Sequence, residues 1–242
     1  MKKILLDTTD STNSYIKREI ETIQPLTMVL AKDQTAGRGQ RGNSWEAEPG
    51  RNLTLSFFII PSDIRPAQQF IISEAVALAI LDTLSSYGIV ALVKWPNDIY
   101  VADKKICGIL IENSIMGVSI SHSIIGIGLN VNQTVFVSDA PNPVSMAQIA
   151  GKEFSLDDVA DRLGGYCEAR LDETKRPDEL HKEYFARLWR SDGSLHPFRE
   201  PASGERFFAS IHSVELTGHL NLKRSNGEIR CYAFKEVEFI LS

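Results

Sequence analysis

DIYVADKKICGILIENSIMGVSISHSIIGIGLNVN, residues 98–132, reads as three nearly continuous β-segments. DIYVA (98–102), KICGILIENSI (105–115) and VSISHSIIGIGLNVN (118–132) are rich in β-branched residues, and Asp103–Lys104 and Met116–Gly117 supply the turns between them. Working back towards the N-terminus, IVALV (89–93) predicts another strand. Before it lies a helix from near Pro66 to just before Gly88, with proline at its start and glycine at its end. NLTLSFFII (52–60) predicts a strand closed by Pro61, and TMVLA (27–31) a shorter one. STNSYIKREIETI (11–23) spaces Ile16, Ile20 and Ile23 as a helix does, with Ser11 or Thr12 as N-cap. Towards the C-terminus, two helices are predicted at about 155–174 and 178–190. After Trp189 the composition changes to short β-like runs separated by Gly204, Gly218 and Gly227, the pattern of a small β-barrel. The predicted boundary divides a larger unit, 1–190, from a small one, 191–242.

The chain has 242 residues, 43 % hydrophobic and 24 % charged, as an ordinary globular protein has. A net charge of −5 argues against a general nucleic-acid binder. Three widely spaced cysteines suit free thiols in a reducing compartment. The N-terminal apolar run is too short for a signal peptide. FIISEAVALAIL (70–81) is interrupted by Ser73 and Glu74 and spans about half of the ~20 residues a bilayer needs. The expectation is a cytoplasmic protein with no membrane partner.

Within the acidic chain lies a locally basic loop, QTAGRGQRGNSW (34–45). Gly37, Gly39 and Gly42 allow a tight wrap around a ligand, and exposed N–H groups there form an anion site. Arg38 and Arg41 add bidentate contacts to phosphate or carboxylate, and Trp45 offers a flat apolar face. A solvated surface loop has the same composition, and the GxxxxGK[ST] phosphate loop is absent. KWPND (94–98) makes a stiff turn after a strand, and Lys105 begins a neighbouring segment. Lys94, Lys105 and Asp98 thus suit a pocket, although for KWPND taken alone the better reading is Trp95 as core, the lysines as edge-strand charges and Asp98 as a turn cap.

DSTNSY (10–15), QTAGRGQRGNSW (34–45), KWPNDIY (94–100), KKICGILIE (104–112) and GIGLNVN (126–132) occur in this order, and together they resemble the biotin protein ligase family. The resemblance runs over essentially the whole chain and implies an α+β fold. Its larger part would be a mixed β-sheet with helices on one face, like a class II aminoacyl-tRNA synthetase domain. A small C-terminal SH3-like barrel would follow. It implies that biotin and ATP, with Mg²⁺, form biotinyl-5′-adenylate, and that biotin then passes to one lysine of a biotin carboxyl carrier protein.

By position, Ser11, Thr12, Asn13 and Gln34 resemble residues lining the biotin head-group pocket. Arg38, Gly39 and Gln40 resemble those around biotin's carboxylate and the adenylate phosphate, with Arg41 adding charge and Gly108 lining the biotin site. Lys105 resembles the lysine that contacts the carboxylate and α-phosphate, Asn130 a residue near the nucleotide, and Trp45 one that stacks by the ligand. Joining two anions requires positive charge where repulsion grows, and ordering of the loop excludes water. Asp98 is the candidate to orient the carrier's ammonium and help take its proton.

Two positions depart from the family's usual GRGRxGRxW loop: Gln40 and Asn43 stand where arginine is common. Gln40 donates a hydrogen bond but forms no ion pair, which predicts looser retention of the adenylate. Only about ten residues precede DSTN, so the resemblance implies the form without a winged-helix DNA-binding domain and without nucleic acid as partner. A homodimer or carrier pairing through an edge strand stays open. Two rival readings remain. A lipoyl or octanoyl transferase or ligase would want a more apolar pocket, and a non-catalytic binding module would use GRGQRG as an RGG-like segment.

Overall fold

In the computed structural model, which describes residues 1–61, 63–137 and 142–241 and not the side chain of Arg41, seven strands form one mixed sheet. They are β1 (Lys2–Thr9), β2 (Thr27–Gln34), β3 (Leu53–Ile59), β4 (Leu92–Lys94), β5 (Asp98–Val101), β6 (Lys104–Met116) and β7 (Ser119–Leu129). Their spatial order is β1-β2-β3-β7-β6-β5-β4. Only β1 and β2 run parallel, in the register Lys2↔Thr27 to Thr9↔Gln34, and every other neighbouring pair is antiparallel.

The expected 98–132 segments become β5, β6 and β7, a meander whose long β6–β7 pair forms the middle of the sheet. The 89–93 expectation is corrected, because pairing with β5 begins only at Leu92↔Tyr100 and ends at Lys94↔Asp98. Strand β1 was not expected at all. It lies at the sheet edge and only alternate residues turn inward, so its apolar content is low.

Alternation along the strands produces two apolar layers. On one face, Met28, Leu30, Leu53, Leu55 and Phe57 meet α2 (Phe70–Ser85), α4 (Leu156–Asp172) and α5 (Pro177–Ala186). Nearly all of α2 is buried. A single 3₁₀ turn at Pro66–Gln68 extends it to a 20-residue segment, Pro66–Ser85, long and apolar enough to cross a membrane. That corrects the expectation that it falls well short. Most of it is buried within the fold, where α4 and α5 pack on it as on a core helix.

On the opposite face the short α1 (Thr12–Arg18) places Ile16 against Val29, Phe58 and Ile124. The long helices thus share one face, as expected, and α1 is an addition on the other. Ser11 caps α1 by accepting from the Ser14 N–H, but the helix ends at Arg18 rather than 23. A further short helix, α3 (Met146–Ala150), was not expected; a reciprocal Ser145–Gln148 capping box starts it and left-handed Gly151 ends it.

The C-terminal strands are β8 (His196–Arg199), β9 (Arg206–Val214), β10 (Leu220–Arg224), β11 (Ile229–Tyr232) and β12 (Glu238–Phe239). They form a second antiparallel sheet, ordered β11-β10-β9-β8-β12. Its core residues Phe198, Ala209 and Leu222 are continuous with the main core. Trp95 ties the two sheets together: its indole N–H donates to the Gly218 carbonyl at 2.9 Å, and its ring meets Phe234 edge-on. Trp95 is therefore a core residue, and the KWPND turn it belongs to carries a cis Trp95–Pro96 peptide.

Candidate active site

A cleft of about 1080 Å³ runs from the start of α1, across β6 and β7, to the β12 end of the second sheet. That volume is at the upper end of small-molecule sites. Ser11, Thr12, Asn13, Gln34, Arg38, Gly39, Gln40, Trp45, Asp98, Lys105, Gly108 and Asn130 all line it. The predicted site residues, spread over 120 positions of sequence, thus face one space, except Arg41, whose side chain lies outside the described residues.

At one end the cleft is a closed polar network. The Gln34 side-chain oxygen accepts from the Thr12 N–H at 2.8 Å and the Thr12 hydroxyl at 3.1 Å. Thr12 and Ser56 hydroxyls lie 2.6 Å apart, and Ser56 donates to Asn13 Oδ1 at 2.5 Å. Asn13 in turn donates from Nδ2 to Glu112 at 2.8 Å. A β-carbon at Gly126 would lie 2.6 Å from Asn13 Oδ1, so glycine is required there for Asn13 to cross the sheet. Neither Ser56 nor Glu112 was anticipated from sequence. The only hint of Ser56 was its place in NLTLSFFII, where Asn52, Thr54 and Ser56 alternate with apolar residues.

Gly108 on β6 pairs with Gly128 on β7, and the two form a floor without side chains. Trp45 lies on that floor: β-carbons at Gly108 and Gly128 would lie 2.9 and 2.3 Å from its ring atoms. Its indole N–H is buried without a partner among the described residues. The glycine loop folds over the same floor as a small hairpin, with Trp45 N–H bonded to the Gly37 carbonyl and Gly39 N–H to the Asn43 carbonyl. A β-carbon at Gly37 would meet the Trp45 carbonyl oxygen at 2.7 Å, which fixes glycine at that position. The far end of the hairpin is anchored through Gln133, which donates to Glu46 at 3.0 Å and accepts from the Glu48 N–H at 2.9 Å.

The cations of the site already have carboxylate partners. Arg38 bonds to Glu112 at 3.1 Å, and Lys17 meets the same carboxylate at 3.1 Å. Burial opposes charge on Glu112, but the Asn13 and Lys17 hydrogen bonds and the Arg38 charge outweigh it and hold its carboxyl below the usual range. Lys105 bonds to Asp98 at 2.7 Å and sits 5.5 Å from the Trp45 ring centroid. The backbone of Lys105 is fixed on its free side by 142–144, which exchanges bonds with it as Lys105 N–H to Asn142 and Val144 N–H to Lys105. Asn130 is buried, donates to the Val144 carbonyl at 3.1 Å, and leaves its Oδ1 without a partner among the described residues. Chemically, the cleft offers a preformed polar cage at one end and, at the other, cations with carboxylate partners beside a glycine floor that the Trp45 ring covers.

The model of the biotin/lipoate A/B protein ligase family matches residues 5–130. The bifunctional ligase/repressor BirA of Escherichia coli is 37 % identical over 109 residues, 45 % of this chain. That match takes in only 34 % of BirA, so the chain spans about a third of that relative's length. A biotin--[acetyl-CoA-carboxylase] ligase of Paracoccus denitrificans is 36 % identical over 115 residues, 46 % of either chain. Among solved structures, the Aquifex aeolicus biotin protein ligase in complex with biotin and ATP superposes with a TM-score of 0.82 at 22 % identity, covering 100 % of this chain and 99 % of that one. This likeness establishes the fold.

Proposed function

The chain belongs to the biotin/lipoate A/B protein ligase family, and we propose that it activates biotin with ATP to biotinyl-5′-adenylate and transfers biotin to a lysine of a biotin carboxyl carrier protein. The observation that carries this reading is the joining of a buried polar cage to a glycine floor flanked by Arg38 and Lys105. Biotin's ureido ring needs paired donors and acceptors, which Ser11, Thr12, Asn13, Gln34 and Ser56 provide. A lipoyl ring offers these groups no hydrogen-bonding partner, and a site built around polar ligand groups rejects analogues lacking them by roughly 10⁴ or more.

With the head group in the cage, the acyl chain runs beside the Trp45 ring, which sits on the Gly108–Gly128 floor, towards Arg38 and Lys105. The biotin carboxylate and the α-phosphate then replace Glu112 and Asp98 as partners of these cations. The carboxylate oxygen attacks the α-phosphorus and pyrophosphate leaves, while Arg38 and Lys105 offset the charge of both anions. Arg41 is proposed to add to this charge, and Gly39, Gln40 and Gly108 to line the path. The glycine hairpin, Trp45 and Asn130 cover the nucleotide and exclude water. Among the described residues no three Asp, Glu, His or Cys side chains gather as a metal site. Mg²⁺ is therefore proposed to enter as MgATP, on the nucleotide's own phosphates.

Displacement of Asp98 from Lys105 frees its carboxylate for the ammonium of the carrier lysine. Cytoplasmic residence fits the three free thiols, two of them buried. We take residues 1–190 as the catalytic unit and 191–242 as the small β unit. The test is incubation with biotin, Mg²⁺ and ATP labelled at the α-phosphate. A biotin-dependent adenylate is expected, discharged by a carrier domain and reduced roughly a hundredfold or more in Lys105→Ala. An adenylate formed with lipoate and not with biotin would reverse the substrate assignment.

A further inference from the structure

Lys94, at the end of β4, lies across the sheet register from Asp98 and takes no part in the steps above. Its Nζ is 3.9 Å from Asp98 Oδ2, whereas Lys105 holds Asp98 Oδ1 at 2.7 Å. The two carboxylate oxygens thus face two lysines in different surroundings. Lys105 looks over Trp45 into the cleft, while Lys94 points between aromatic rings, with its Nζ 5.1 Å from the Tyr100 centroid and 5.5 Å from Phe239. Phe239 belongs to β12, so the second sheet supplies one wall of this compartment.

We propose that in the transfer step Lys94 receives, through Asp98, the proton that the carrier's ammonium must lose before attack; this rests on the functional reading above. An amine attacks only when neutral, and a free lysine, with a pKa near ~10.4, is mostly protonated at neutral pH. Asp98 orients the ammonium and hands its proton on, since a carboxylate is intrinsically a weaker base than an amine. A desolvated lysine amine is a stronger base that is nonetheless neutral part of the time near physiological pH. Burial pushes the Lys94 ammonium below its ordinary value; Lys105 and Arg190 push the same way, and Asp98 and Glu238 oppose them.

The step balances. One proton passes from the carrier ammonium through Asp98 to the neutral Lys94. The freed nitrogen pair forms the C–N bond, and the acyl C–O bond to phosphate breaks with its electrons on the phosphate oxygen. The nitrogen's second proton leaves on AMP, and Lys94 later returns its own to water.

Single-turnover transfer from preformed biotinyl-5′-adenylate to a biotin carboxyl carrier domain, followed from about pH 6 to about pH 10, tests this without involving the activation step. Wild type is expected to rise with pH and level off. Lys94→Arg keeps the charge but does not release a proton, so it should be at least ~10-fold slower near neutral pH and still rising at the alkaline limit. Phe239→Leu admits water to Lys94, restores its ordinary basicity and moves the levelling-off to higher pH. A Lys94→Arg profile identical to wild type overturns the role of Lys94 alone, as does a Phe239→Leu profile that does not move should Lys94→Arg fail to fold. A wild type that never discharges the adenylate overturns the functional reading, and the role of Lys94 with it.

Discussion

The two ends of the cleft are built on opposite terms. At the end beside α1, Thr12, Asn13 and Ser56 are at most 4 % exposed and bonded in a chain from Thr12 through Ser56 to Asn13. At the reactive end, the Arg38 side chain is 42 % and Lys105 25 % exposed, each held by a single carboxylate. The first arrangement costs nothing to reorganise when a ligand of matching polarity enters, because the groups are already oriented. The second keeps cations loosely paired, so that a substrate carboxylate or phosphate exchanges with Glu112 or Asp98. The Arg38–Glu112 pair, the more exposed of the two, approaches the ~0–1 kcal/mol of a surface ion pair, which makes its exchange cheap.

The sharpest way to break the contrast is Gly126→Ala. The new methyl would lie 2.6 Å from Asn13 Oδ1 and must push Asn13 out of the closed network. Stranding buried polar groups costs about 1–3 kcal/mol, so biotin affinity measured by calorimetry should fall roughly tenfold to a hundredfold. At the reactive end, Gln40→Arg replaces a neutral donor by a charged one. It should slow release of biotinyl-adenylate roughly fivefold, the difference of about 1 kcal/mol between a charged and a neutral hydrogen bond. An unchanged off-rate would overturn the expectation that Gln40 loosens retention.

Glu112→Gln should do least to affinity, less than about threefold, since it weakens the pairs with the exposed Arg38 and Lys17 but leaves an amide oxygen to accept from Asn13. Its effect appears instead as faster tryptic cleavage after Arg38. Acid should mimic it: the folded Glu112 carboxyl titrates below its unfolded value of 4.5, so the tether is complete above that pH and is lost as pH falls through the folded value.

Much of this was legible in the sequence because it depends on local chemistry. The Ser11 cap, the meander at 98–132 and the glycine requirement at Gly37 each follow from neighbouring residues. Strand β1 was missed because an edge strand buries only half its side chains and shows little apolar excess. The five-residue α3 was missed because it is held by a capping box rather than by an apolar face. That Trp45 offers a flat face to a pocket could be expected, but not its seat on Gly108 and Gly128, which comes from a strand pairing.

By itself the sequence determined the order of motifs, the alternation that makes each strand two-faced, and the residue types able to meet an anion and a polar ring. Only the tertiary structure decided which of them face one another. Arg38 meets Glu112 across 74 residues, Asn13 crosses to Gly126, and Phe239 of the second sheet walls in Lys94. Those partnerships depend on strand order and on the packing of two sheets, and neither is written in any local pattern because each is the joint minimum of contacts between distant segments.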